Sequence, residues 1–254
     1  MLTFLIDIKR SFGKESHMLK IINFYPQNKI IEDFFTPPVP SSSKLPKWWT
    51  DASIYVNKNR KTKLNQMRDF KSCAAFGDTL STGYMLVTPC DIEISFDNGN
   101  IIFQTIERFP FKLAGLRGTP IENQTQGYNM PIPDDCFSVM YHWEAMYGFK
   151  VPKGYSLLIT SPLNRHDLPF VCTSGIIDSD AFFDAGLIPF FIRRNAIGSI
   201  IPAGTPFAQL IPIKRDTWKS ITHKFNEKFN NKIQKMYFID RYYKKYLWKQ
   251  KKYY

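Results

Sequence analysis

Val151-Pro-Lys-Gly-Tyr-Ser-Leu-Leu-Ile-Thr-Ser-Pro-Leu-Asn-Arg165, then Gly175-Ile-Ile-Asp-Ser-Asp180, then Pro202-Ala-Gly-Thr-Pro-Phe-Ala-Gln-Leu-Ile-Pro-Ile-Lys214 carry the reading of the fold. Three short apolar runs, Ser156–Thr160, Leu187–Ile192 and Phe207–Ile213, are separated by Pro, Gly, Asn and Asp. Runs of that length with that punctuation predict strands of a β-rich unit. Between them lie two tight polar clusters, Asn164-Arg165-His166-Asp167 and Asp178-Ser179-Asp180. Any ligand site on the body is expected there.

Upstream, Asp91–Phe96 alternates polar and apolar residues, and Asp97-Asn-Gly-Asn100 leads into Ile101–Ile106. This predicts a hairpin with a tight Asn-Gly turn. Phe137–Phe149, with Val139, Tyr141, Trp143 and Ala145 alternating against His142 and Glu144, predicts another strand. Phe76–Val87 reads as small residues running into a strand, and Phe109–Asp135 as a long loop. Residues 36–50 form a Pro/Ser-rich arm expected to tuck Trp48 and Trp49 into the core. The folded unit is expected to span 18–215, after an N-terminal extension at 1–17 and before a basic C-terminal segment at 216–254.

The 254 residues suffice for a substantial core, and 44% hydrophobic with 16% aromatic content excludes a disordered chain. No apolar stretch is long enough for a transmembrane helix. Met1–Ile8 is too short a run for a signal peptide and contains Asp7. Cys73, Cys90, Cys136 and Cys172 lack zinc or redox spacing and read as buried free thiols. The net charge of +12 is unevenly placed: Lys214–Tyr254 holds thirteen Lys/Arg against three Asp/Glu, which leaves about +2 for the rest.

In that C-terminal segment Trp218, Ile221, Phe225, Phe229, Ile233, Met236, Tyr243 and Leu247 recur at helical steps, predicting a long amphipathic helix capped by Asp216. Lys244, Lys245 and Lys249 interleave with Trp248 and several tyrosines. Ammonium groups that offset phosphate charge, beside rings that stack on bases, make this the candidate contact for nucleic acid or an acidic protein.

Gly175-Ile-Ile-Asp-Ser-Asp180 followed by Ala203-Gly-Thr-Pro-Phe-Ala-Gln209-Leu-Ile resembles the dUTPase and dCTP deaminase superfamily over about 60 residues. The resemblance implies Asp178 as a water-activating base, with Asp180 beside it. Arg165 would bear on phosphate, Mg2+ would be the cofactor, and the assembly would be a trimer. Ala181-Phe-Phe183 stands where that family has an aromatic and Arg-Gly, and Leu163-Asn164 replaces part of its phosphate motif. The longer pattern, together with Leu45-Pro-Lys-Trp-Trp49 and Ser81-Thr-Gly-Tyr84, is similar to an uncharacterised family common in tailed bacteriophages over about Met18 to Trp218. That resemblance implies a phage protein of the host cytoplasm or virion.

His142, His166, Asp178 and Asp180 offer a His/carboxylate set of the kind that binds iron or zinc, but no ligand-spaced histidine motif occurs, and no metal site is expected. The ligand-binding candidates are Asn164, Arg165, His166 and Gln209, and the catalytic candidates Asp178 and Asp180. The reading is therefore a mainly β, β-clip or jelly-roll-like fold with a long C-terminal helix. Its expected function is an accessory or virion-associated binding protein, with a homo-oligomer as one expected state; the alternative is a divergent dUTPase-like nucleotide hydrolase.

Overall fold

A computed structural model describes residues 19–56, 67–105, 116–117, 130–184, 186–239 and 241–254. The N-terminal extension and most of the 109–135 loop lie outside the described residues. In chain order the elements are β1 (Asn23–Pro26), α1 (Lys29–Phe34), β2 (Val39–Pro40), α2 (Lys47–Thr50), α3 (Ala74–Ser81), β3 (Tyr84–Val87), β4 (Ile92–Asp97) and β5 (Asn100–Thr105). They continue with β6 (Leu116–Arg117), β7 (Cys136–Glu144), β8 (Tyr147–Lys150), β9 (Tyr155–Thr160), β10 (Phe170–Cys172) and β11 (Gly175–Ile177). Last come β12 (Leu187–Arg193), β13 (Ile200–Ile201), β14 (Pro206–Lys214) and α4 (Glu227–Phe238).

The fold is mainly β. Four sheets have the strand orders β1-β8, β10-β12-β7-β6, β11-β9-β14-β3-β2 and β13-β4-β5, and no sheet closes into a barrel among the described residues. The three runs of the deciding stretch are β9, β12 and β14. The first and last pair antiparallel, with Ser156 opposite Ile213 and Thr160 opposite Gln209. The Asn-Gly hairpin is β4–β5, closed by Asn98 at φ 48° and Gly99 at φ 84°, the left-handed pair a two-residue turn needs.

One core draws on all four sheets. At its centre the Trp143 ring on β7 stacks against Phe190 of β12 at 4.7 Å and Phe207 of β14 at 4.8 Å. The three rings lie on strands of two sheets, so they hold those sheets together. Each buried aromatic removes enough apolar surface from water to be worth roughly 1.5–3 kcal/mol.

Several expectations change. Residues 76–81 belong to helix α3, and the Trp49 ring packs over its Gly77, where an added Cβ would meet it at 3.2 Å. In the arm, Trp49 is buried as expected, whereas Trp48 remains 43% exposed. Val39–Pro40 pairs with the edge of β3, so the arm is partly a strand. Cys73 is exposed; the other three thiols are buried.

The C-terminal helix is far shorter than expected. Residues 215–226 are not helical, α4 covers Glu227–Phe238, and a π-helical turn follows at Tyr243–Leu247. Asp216 pairs with Lys214 at 2.8 Å. The cap is Asn226, whose side chain accepts from the Phe229 N–H at 3.0 Å. Thr217, Ser220 and Thr222 precede it, residue types whose hydroxyls compete for backbone bonds and disfavour helix.

Candidate functional site

The polar groups singled out from sequence gather at two places, one towards each end of the β9–β14 ladder. The first lies at the start of β9. Here the turn after β11 is closed by the Asp178 carbonyl, which accepts from the Ala181 and Phe182 N–H groups at 3.0 and 2.9 Å. That turn sets the Asp178 and Asp180 side chains towards Arg215, the residue just beyond β14.

Arg215 Nη1 lies 2.9 Å from Asp178 Oδ1 and 2.9 Å from Asp180 Oδ1, and Nη2 bonds Asp180 Oδ2. Ser156 Oγ donates to Asp178 Oδ1 at 2.6 Å, and the Gly154 N–H donates to Asp180 Oδ2 at 2.8 Å. The Asp180 side chain is 8% exposed and that of Asp178 65%. The Ser156 hydrogen bond and the Arg215 guanidinium hold the Asp178 carboxyl below the usual carboxylate range. Arg215 and the Gly154 N–H do the same for Asp180, while the two carboxylates raise Arg215 further. Both aspartates are therefore ionised acceptors. Arg215 was the partner sequence reasoning missed, and the lone signal was a guanidine next to the end of a β run.

The second cluster lies where β14 opposes the end of β9. Gln209 is fully buried and uses its whole amide: Oε1 accepts from the Leu163 N–H at 2.8 Å, and Nε2 donates to the Thr79 and Thr82 carbonyls at 2.9 and 2.7 Å. Asn164, at φ 59°, donates through Nδ2 to Thr79 Oγ1 at 2.6 Å. The Pro-Leu-Asn-Arg loop is thus stapled to the end of α3.

Arg165 turns its Nε and Nη2 onto Asp167, with contacts at 2.9–3.1 Å, and reaches the Lys44 carbonyl at 3.4 Å. Its side chain is only 9% exposed. Burial alone would raise the Asp167 carboxyl, but the Arg165 bonds and charge and the Trp48 indole take it below its ordinary range. His166 is exposed beside them.

The separation decides what these residues can do together. Ser156 and Thr160 are four residues apart on one strand, about 13 Å at ~3.3 Å per residue. Asp178 and Asp180 therefore share a site with Ser156 and Arg215, whereas Asn164, Arg165 and Gln209 belong to another. Among the described residues no three His, Cys, Asp or Glu side chains gather as a metal site.

The C-terminal candidates behave differently again. Trp248 donates its indole N–H to Asp78 Oδ2 at 2.9 Å, and Lys251 reaches the same oxygen at 2.5 Å. Lys244, Lys245 and Lys249 are exposed. Between Arg215 and Trp248, Trp218, Phe225 and Phe238 stand 86%, 82% and 87% exposed. On α4, Lys228, Lys232 and Lys235 follow one another at helical spacing beside Phe229, Ile233 and Met236.

No protein-family model matches this chain. No curated protein matches it either. Among solved structures, a mutant dUTPase from phage phi11 of S. aureus, described with a structural Mg(II) ion, aligns at 12% identity and a TM-score of 0.31. The alignment covers 82% of this chain and 97% of that one. At that score the likeness carries no argument about fold or chemistry. No described helix is long and apolar enough to cross a membrane.

Proposed function

We propose that this chain is a binding protein of the phage accessory or virion-associated kind, acting in the host cytoplasm or virion, that engages single-stranded nucleic acid. In this reading a β-clip or jelly-roll-like body presents the lysine- and aromatic-rich segment between Arg215 and Trp248. One observation carries it: the large rings of that segment stand in solvent, interleaved with lysines. A protein of this size rarely leaves such a set of apolar side chains uncovered without a partner. Lysine with exposed rings suits a ligand that offers phosphates and unstacked bases.

Fluorescence anisotropy of a labelled oligonucleotide over a salt series tests it. Each phosphate contact on a single strand adds about 0.7 to the slope of log affinity against log salt. Replacing Lys228, Lys232 and Lys235 by Gln should lower that slope by about 2. An unchanged slope and affinity would remove α4 from the interface.

One observation favours a second reading, nucleotide hydrolysis by an oligomeric, dUTPase-like enzyme. Asp178 is largely exposed, ionised and hydrogen-bonded by Ser156, as a water-activating carboxylate would need. Asp178 and Asp180 already face a guanidinium and do not fit a resident Mg2+, so any Mg2+ would arrive with the nucleotide. Pyrophosphate release from a panel of dNTPs that Asp178→Asn abolishes would establish this reading over the first.

A further inference from the structure

The last residues of the chain fold back across the body as a strap and divide two hollows. One, of about 670 Å³, has aliphatic and proline walls, with Tyr84, Tyr155 and Tyr253 and with Lys20, Lys251 and Lys252 at its border. The other, of about 540 Å³, is lined by Trp49, Lys71, Lys244 and Trp248, and again by Lys251 and Lys252. Residues 251–254 border both, so the hollows lie on either side of one strap.

The strap is held in place. Besides the two donors on Asp78, Thr82 Oγ1 lies 2.9 Å from the Tyr253 hydroxyl, and the Tyr84 hydroxyl donates to the Tyr254 carbonyl at 3.1 Å. Tyr84 and Tyr253 meet edge to face at 5.8 Å. The Lys20 ammonium sits 5.5 Å from the centre of the Tyr155 ring. In the second hollow Lys71 lies 4.7 Å from the Trp49 ring centre.

We infer that a single-stranded nucleic acid crosses this strap, an unstacked base entering the tyrosine-bordered hollow and its phosphates following the lysines into the second. The inference rests on the nucleic-acid reading above and places a second contact surface on the body, formed by residues outside α4. The first hollow has the volume of a small-molecule site, enough for a base and too small for a duplex. Its tyrosines give rings of the kind any base stacks on. Among the described residues, Lys20, Lys71, Lys244, Lys251 and Lys252 border the two hollows against one acidic side chain, Asp78, which is already paired with Lys251. A single strand brings a flat ring with every negative charge, which an acidic peptide does not, so the strand is the better fit to lysines beside tyrosines.

The test compares an oligothymidine with an abasic phosphodeoxyribose strand of equal length, each bound to the full chain. The wild type should prefer the base-bearing strand, with the tyrosine-bordered hollow supplying about five- to a hundredfold of that preference, the range of one base–aromatic stack. Tyr155→Ala should remove that share of the preference, and Tyr155→Phe, which keeps the ring, should retain it. Lys252→Gln should lower the salt slope by about 0.7. An undiminished preference in a folded Tyr155→Ala overturns the inference while the α4 interface stands, and equal binding of both strands by the wild type overturns base stacking at both surfaces. Displacement of the strand by an acidic peptide at equal concentration overturns it as well. Failure of every strand to bind overturns both.

Discussion

Gln209 reaches from β14 to the backbone of Leu163, accepting its N–H at 2.8 Å, and so ties the loop after β9 to the strand that pairs with β9. The same amide satisfies two carbonyls at the end of α3. In the sequence, Gln209 looked like a ligand contact within an Ala-Gln-Leu strand; in the fold all its bonds go to backbone.

Gln209→Leu should therefore destabilise the protein. It strands a buried N–H and two carbonyls, each worth about 1–3 kcal/mol when unsatisfied, although partial relaxation keeps the total nearer 2–4 kcal/mol. Urea denaturation monitored by tryptophan fluorescence measures the change. A midpoint equal to the wild type would show that the staple contributes nothing.

Two glycines with similar backbone angles should respond unequally to alanine. Gly83, at φ 69°, sits where a Cβ would lie 2.0 Å from the Leu210 carbonyl oxygen. Gly99, at φ 84°, has nothing within 4 Å. Gly99→Ala should cost about 1 kcal/mol of left-handed strain, and Gly83→Ala more than about 3 kcal/mol, since β3 must move away from β14. Thermal melts of both variants make the comparison.

The Arg215 clamp predicts the sign of an acid effect. Asp178 and Asp180 have folded-state pKa values below that of an unfolded carboxyl, about 3.9. Their contribution is present above that pH and is lost as pH falls through the folded values. Stability of the wild type should fall more steeply than that of Arg215→Gln between about pH 4 and pH 2. Denaturation midpoints across that range are the measurement, and parallel curves would assign the acid sensitivity elsewhere.

Thiol reactivity should single out Cys73. Burial, with Asp135 beside it, pushes the Cys136 thiol up to about 11, and burial raises Cys172 further still. Cys90 is also buried. A thiol reagent at neutral pH should label Cys73 rapidly and the other three only after denaturation, as read by mass spectrometry. Rapid labelling of Cys136 or Cys172 in the native protein would contradict this burial.

What could be read from sequence was local. Alternation around Tyr141 and Trp143, the Asn98-Gly99 turn and the Pro-punctuated runs at β9, β12 and β14 each declare a strand by pattern alone. Helix α3 was hidden because Phe76–Val87 reads as one run of small residues leading into a strand, with nothing local to mark where helix ends and β3 begins. The pairing of Arg215 with Asp178 and Asp180 depends on β11, β9 and β14 lying side by side, a relation no spacing encodes. The C-terminal segment misled for the opposite reason: its apolar periodicity is real, yet only α4 has a cap and favourable residues to make helix of it.

The strap gives the projecting segment a second anchor. A chain fixed at Arg215 and again at Trp248 is a tethered loop with a bounded reach, unlike a free tail that explores a sphere. Closing a loop has already removed part of its freedom, so less ordering entropy remains to be lost when a partner fixes it. Whatever that segment captures is also kept within one loop's length of the β body, which raises its effective concentration there.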